Sequence, residues 1–256
     1  LSPSTIHKVH EILSVMFNTA IKWDMVPYNP CIKVNTPKYK RIKMSCYDKE
    51  TASKMLNKLF ETAPLKYQCF VTLATLGGFR RGEIVGLHWD DIDFKNKTVT
   101  INRSAYYLGR QGIKEKPPKT DSSNRTIAIS DTCISLLKRW RAEQGKMRLA
   151  LGDRWHGVKN IFTTDDGNIM NPATGPKWFS KFLKKNNFPH IRFHDLRHTF
   201  ASILVAENVD IKTVSHKLGH ASTGTTYTYY VHDFESTDRA SADLLEDVLI
   251  KDINMV

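Results

Sequence analysis

Residues 4–23 place Ile6, Val9, Ile12, Leu13, Met16, Phe17 and Ala20 three and four positions apart, the spacing of one apolar helical stripe. Pro27, Asn29 and Pro30 end that pattern, and the basic, proline-bearing stretch from Thr36 to Arg41 reads as a linker. One helix cannot bury its own apolar face, so residues 1–40 read as the last element of a larger helical domain. Beyond the linker the pattern predicts helices over Lys49–Thr62 and Leu65–Leu76, a stop at Gly77-Gly78, and a short helix from about Arg81. A hairpin is expected over Asp91–Ile101, turning at Lys95-Asn96-Lys97, and a short strand at Thr126–Ile129 after a polar turn. Helical spacing resumes over Asp131–Gln144, Pro176–Lys185, Asp195–Ala206 and Val209–Leu218, the last closed by Gly219. A final helix is expected over Ser241–Ile250. The fold class is therefore mostly α with a small antiparallel β-sheet, divided into residues 1–40 and 41–256.

Composition narrows the partner more than the fold. The 256 residues are 41% hydrophobic and 25% charged, ordinary values for a globular protein. No run approaches the roughly 18 apolar residues of a membrane span. Leu1 to Asn18 alternate at helical spacing and do not read as a signal peptide. The chain opens on Leu1 rather than Met, which reads as a piece of a longer protein. Lys and Arg number 38 against 26 Asp and Glu, a net charge of +12. A surplus of that size favours a polyanionic partner, and its spread along the chain points to a folded basic face, not a disordered arm. Cys31, Cys46, Cys69 and Cys133 form no Cys-x-x-Cys pair, which argues against a zinc cluster or a secreted disulfide framework. They are expected in the core of a cytosolic protein.

Four stretches carry candidate chemistry. In the first, Arg80 follows the double glycine and Glu83 lies three residues on, a spacing that lets the two share a helical face as an ion pair. A guanidinium locked this way is a two-pronged phosphate clamp, and a plain surface pair is the simpler alternative. In the second, Pro117 to Ile129, Lys119 sits on a polar turn where a mobile lysine can deliver a proton to a leaving oxygen or remain merely solvated. In the third, His194 and Arg197 are three apart at a helix start and should point the same way, and a helix N-terminus itself favours phosphate. His198 adds a His-x-x-x-His pair, but Asp195 replaces the Glu of a zinc-protease helix and no third ligand is near, so His198 reads as packing or capping. In the fourth, His220 follows the Gly219 stop, and Tyr227, Tyr229 and Tyr230 come shortly after. Taken alone, those tyrosines suit packing or base stacking.

Together these motifs, in this order over about Tyr47–His232, resemble the tyrosine recombinase (phage integrase) family. Residues 1–40 resemble the end of its helical core-binding domain plus linker, with Trp23, Asn29-Pro30 and Pro37 as punctuation, and 41–256 its catalytic domain with a C-terminal tail helix. The resemblance implies a site-specific recombinase or integrase, of a phage or a conjugative transposon, that cuts and rejoins DNA through a covalent 3′-phosphotyrosine. It implies Arg80, Lys119, His194, Arg197, His220 and Tyr230 as the catalytic set, with Glu83 orienting Arg80 and no metal or other cofactor. Arg81 beside Arg80 and Tyr229 beside Tyr230 are the open alternatives. The Arg-x-x-Glu spacing favours Arg80, and a Tyr-x-His ending at His232 favours Tyr230. It further implies a double-stranded DNA recombination site, four protomers on two duplexes, accessory DNA-bending or directionality proteins, and a place on DNA in the bacterial cytoplasm. The tail stripe Leu244, Leu245, Val248 and Leu249 would dock on a neighbouring protomer or on its own domain. A type IB topoisomerase and a non-catalytic DNA-binding relative are the competing readings.

Overall fold

The computed structural model describes residues 1–37, 46–117, 124–157, 159–219 and 224. Lys119, His220, Tyr229, Tyr230, most of the linker and the expected helix at Ser241–Ile250 lie outside the described residues. The chain divides into two compact units, Leu1–Met44 and Ser45–Val256.

The first unit is built on α1 (Pro3–Lys22), whose N-cap Ser2 accepts from the Thr5 amide and whose first position is a proline that needs no donor. The chain then folds back through a 3₁₀ turn at Pro30–Lys33. Asn29 ties that return to the helix: its amide donates to Ser14 and Asn18, and its oxygen accepts from the Cys31 amide. No residue of α1 is buried, and Ile12, Val15 and Met16 are 60%, 65% and 60% exposed. The apolar stripe seen in the sequence is real and largely uncovered.

The second unit is organised around α3 (Leu65–Gly77), which is buried along most of its length from Gln68 to Thr75. A helix apolar on all sides belongs at the centre of a domain. Around it pack α2 (Lys49–Thr62), α4 (Arg81–Val85), α5 (Asp131–Leu151), α6 (Thr174–Lys185) and α7 (Asp195–Ala206). Phe70 on α3 meets Phe162 edge-on and Phe193 at a tilt, which seats the segments before α6 and α7 in the core. Helix α8 (Ile211–Leu218) packs on α7 through a smaller cluster of Phe200, Ala201, Val205, Val214 and Leu218.

A three-stranded antiparallel sheet has the order β1 (Ile92–Asp93), β2 (Thr98–Ile101) and β5 (Arg125–Ala128). Val99 pairs with Ile127 and Ile101 with Arg125, so the inward side chains of the two longer strands match. A separate hairpin, β3 (Ser104–Tyr107) with β4 (Ile113–Lys116), follows β2.

Several sequence expectations need correction. Helix α5 runs seven residues past Gln144, from Gly145 to Leu151. A Cβ on Gly145 would meet open space, and its helix penalty of about 1 kcal/mol is outweighed by the strong helix formers that follow. Helix α8 begins at Ile211 because Asp210 accepts from the Thr213 amide as N-cap, leaving Val209 to pack just before it. The β3–β4 hairpin was not expected: its strands are mostly solvated and show no clean alternation. Cys31, Cys69 and Cys133 are buried as expected, whereas Cys46 is exposed.

Candidate active site

Gly77-Gly78 ends α3 with Gly78 in the left-handed region at φ 67°, and a side chain there would strike Phe200 and Leu218. The chain then emerges extended at Arg80, the N-cap of α4. Arg80 and Glu83 do form an ion pair, but not across a shared helical face. Glu83 is the third residue of the helix and reaches back: one oxygen accepts from the Arg80 backbone amide at 2.9 Å, the other from Nη1 at 2.7 Å. Backbone and side chain of Arg80 are thus held by one carboxylate. The Arg80 side chain is 36% exposed and Glu83 only 6%.

Glu83 holds a second arginine absent from the sequence-derived set. Arg125, at the start of β5, donates through Nη1 and Nη2 to the two Glu83 oxygens at 3.2 and 3.1 Å. The Arg125 side chain is 1% exposed. One signal could have found it: in the alternation Arg125-Thr126-Ile127-Ala128, Arg125 lies on the face of buried Ile127, and an inward charge needs a partner.

His194 is the N-cap of α7 and Arg197 lies in its first turn, but they differ in depth. Arg197 is 2% exposed and donates through Nη1 to the Gly78 carbonyl at 2.7 Å and through Nη2 to the Leu218 carbonyl. His194 is exposed, with its ring edge-on to His198 at 5.2 Å. Partial burial, then His198, Arg197 and Arg80, push the His194 pKa down to about 4, so the imidazole is neutral at pH 7. The same logic lowers His198, with burial as the chief cause. The α7 N-terminus already carries an anion, because Asp195 accepts from the Arg192 amide and guanidinium.

These segments meet at the end of α8. The last carbonyls of a helix lack intrahelical partners, and cations are favoured there. Here Arg125 Nε takes the Lys217 carbonyl at 3.0 Å, Arg197 takes Leu218, and Arg80 Nη2 takes Gly219 at 3.2 Å. Three arginines, from the N-cap of α4, from β5 and from α7, converge on three consecutive peptides. Arg80, Glu83, His194 and Arg197 are therefore brought together, 117 positions apart at the extremes (197 − 80). Among the described residues no group of three or more His, Cys, Asp and Glu side chains is placed to hold a metal ion, and no helix is long and apolar enough to cross a membrane.

Comparison with known proteins identifies the family. The profile of the Phage integrase family matches residues 47–236. The ICEBs1 integrase of Bacillus subtilis is 30% identical over 249 residues, covering 97% of this chain and 67% of its own length. A XerC-like tyrosine recombinase of Caldanaerobacter subterraneus is 30% identical over 263 residues, with the same coverage of 97% and 67%. The Tn1549 transposon integrase, solved in complex with a circular intermediate DNA, superposes with a TM-score of 0.80 at 21% identity, covering 96% of this chain and 80% of that one. The fold is that of a tyrosine recombinase catalytic domain. The chain belongs to the phage integrase family.

Proposed function

We propose that this protein is a site-specific recombinase that integrates or excises a mobile element by cutting and rejoining double-stranded DNA. The observation that carries this reading is the convergence of Arg80 and Arg197, with His194 beside them, on the turn that ends α8. Fixed cations at one point suit a phosphoryl group whose charge grows during reaction. The relatives named above are integrases and recombinases, which favours this reading over a topoisomerase or a silent DNA binder.

In the proposed step the Tyr230 hydroxyl oxygen attacks phosphorus, the bond from phosphorus to the 5′-oxygen breaks, and a 3′-phosphotyrosine remains. An unperturbed phenol titrates near ~10, so it needs a base. His194, held neutral, accepts that proton. Lys119 protonates the departing 5′-oxygen, and His220 hydrogen-bonds the phosphate. Attack by a partner strand's 5′-hydroxyl reverses the step with no ATP, and the scheme uses no metal. Glu83 orients Arg80. Residues 1–40 act as the end of a core-binding domain and 41–256 as the catalytic domain. Four protomers on two duplexes, acting in the bacterial cytoplasm with accessory DNA-bending or directionality proteins, complete the assembly.

The test uses duplexes with a nicked, randomised centre, so that a cleaved strand loses its 5′-end and the adduct is trapped. Sequencing the DNA that stays with the protein in detergent yields the site, and two labelled duplexes carrying it are then mixed. Joined products from both labels are expected. Relaxation of supercoiled DNA without joined products would establish the topoisomerase reading instead, and duplex binding with no adduct the non-catalytic one.

A further inference from the structure

Arg125 lies too deep to touch a DNA backbone, yet it contacts two of the segments that frame the site. Its guanidinium bridges both oxygens of Glu83 and also takes the Lys217 carbonyl. The peptide at Gly219 comes so close that a Cβ there would lie 2.5 Å from Arg125 Nη1, and Gly219 itself has φ 59°. Two independent demands, handedness and space, therefore require glycine beside this guanidinium. On its other side, Arg125 pairs with Ile101 in the sheet, which gives the side chain a rigid base.

We propose that Arg125 is a positioning residue for DNA cleavage, holding Glu83, and through it Arg80, in register with the turn at 217–219. The inference rests on the cleavage reading above and deepens it. Lysine cannot substitute, because a single ammonium cannot span a carboxylate edge and a carbonyl in a fixed fork.

Charge supports the geometry. Burial alone would push the Glu83 carboxyl up, but Arg125, by charge and hydrogen bond, and then Arg80 and Arg197 outweigh it and hold Glu83 below the usual carboxylate range. Among the described residues those are the charged groups facing Glu83: Arg80 at the head of α4, Arg125 from β5 and Arg197 from α7, with α8 contributing carbonyls. Without Arg125 the Glu83 pKa rises. Once protonated, Glu83 holds Arg80 more weakly, so a loss of cleavage at low pH should move toward neutrality.

The test compares wild type, Arg125→Lys, Arg125→Gln and Arg125→Gln/Glu83→Gln, the last removing both members of the Arg125–Glu83 ion pair together if the single variant fails to fold. Adduct formation is timed in single turnover from pH 5 to 8 on the trapped duplex. Duplex affinity and the Glu83 carboxyl titration by carbon-13 NMR are measured in parallel. Arg125→Lys should keep duplex affinity within about twofold while slowing the adduct by on the order of a hundredfold, the usual cost of ångström-scale misplacement. Its acid limb should shift upward, and the Glu83→Gln double variant should lack that limb. Combining Arg125→Lys with Arg80→Lys should cost less than the product of the single effects, because both act through one clamp. A wild-type rate and limb in Arg125→Lys, or equal losses of affinity and rate, would overturn the proposal. If wild type forms no adduct, the cleavage reading fails by itself. An unchanged Glu83 titration in Arg125→Lys would then overturn the clamp, and a raised one would support it.

Discussion

His194 and Arg197 stand one helical turn apart, and the protein treats them oppositely. Arg197 stays charged at depth because the Gly78 and Leu218 carbonyls receive its donors. His194, partly buried and near three groups that carry or can carry positive charge, is kept neutral. Its folded pKa of about 4 lies below the ordinary 6.5, so the unfolded chain binds the proton more tightly. The contribution to stability is intact above about pH 6.5 and is lost progressively as pH falls toward 4. His194→Gln should therefore lose less Tm between pH 7 and pH 5 than wild type does. Equal Tm losses would show that His194 is not held neutral. At Arg197, lysine retains the charge but reaches only one of the two carbonyls, leaving a buried acceptor unmet at about 1–3 kcal/mol. Arg197→Lys should lower Tm and slow adduct formation by orders of magnitude, with only a modest loss of duplex affinity, and parallel losses would contradict this. Arg125 was not read from the sequence: the alternation from Arg125 to Ala128 could have turned it inward, but nothing local announces Glu83, 42 residues earlier, as its partner.

At the scale of elements, the helices were legible because their apolar stripes repeat at helical period and their caps are written locally. Asp48, Ser130 and Asp210 each accept from an amide three residues on. The β3–β4 hairpin was not legible, since Ser104–Tyr107 and Ile113–Lys116 bury only Ala105 well. Sheet pairing between β2 and β5 also lay beyond local pattern, because the strands are joined through the intervening hairpin. The end of α8 is the element on which the site turns. Gly219→Ala forces a side chain into the left-handed region and against Arg125. A loss of about 1–3 kcal/mol is expected, together with slowed cleavage. An unchanged Tm and rate would show that the turn tolerates displacement and that the three-arginine arrangement is not needed.

Across the whole molecule, the spread charge and the proposed chemistry fall to different residues. The net charge of +12 spreads over many residues, whereas the cations at the α8 turn are few and fixed. Duplex binding should weaken steeply with salt: neutralising about six phosphates costs on the order of a thousandfold between 50 and 200 mM. A flat salt profile would remove phosphate contacts as the source of affinity. The most direct test of the central claim is to identify the residue that carries DNA after cleavage. Wild type, Tyr229→Phe and Tyr230→Phe are incubated with the trapped duplex, resolved on a denaturing gel, and the adduct peptide is mapped by mass spectrometry. Tyr230→Phe should bind the duplex and form no adduct, because phenylalanine offers no oxygen to phosphorus, while wild type and Tyr229→Phe should carry DNA on Tyr230. An adduct that persists in Tyr230→Phe and vanishes in Tyr229→Phe would move the nucleophile by one residue, and one that persists in both would contradict Tyr230 as the required nucleophile.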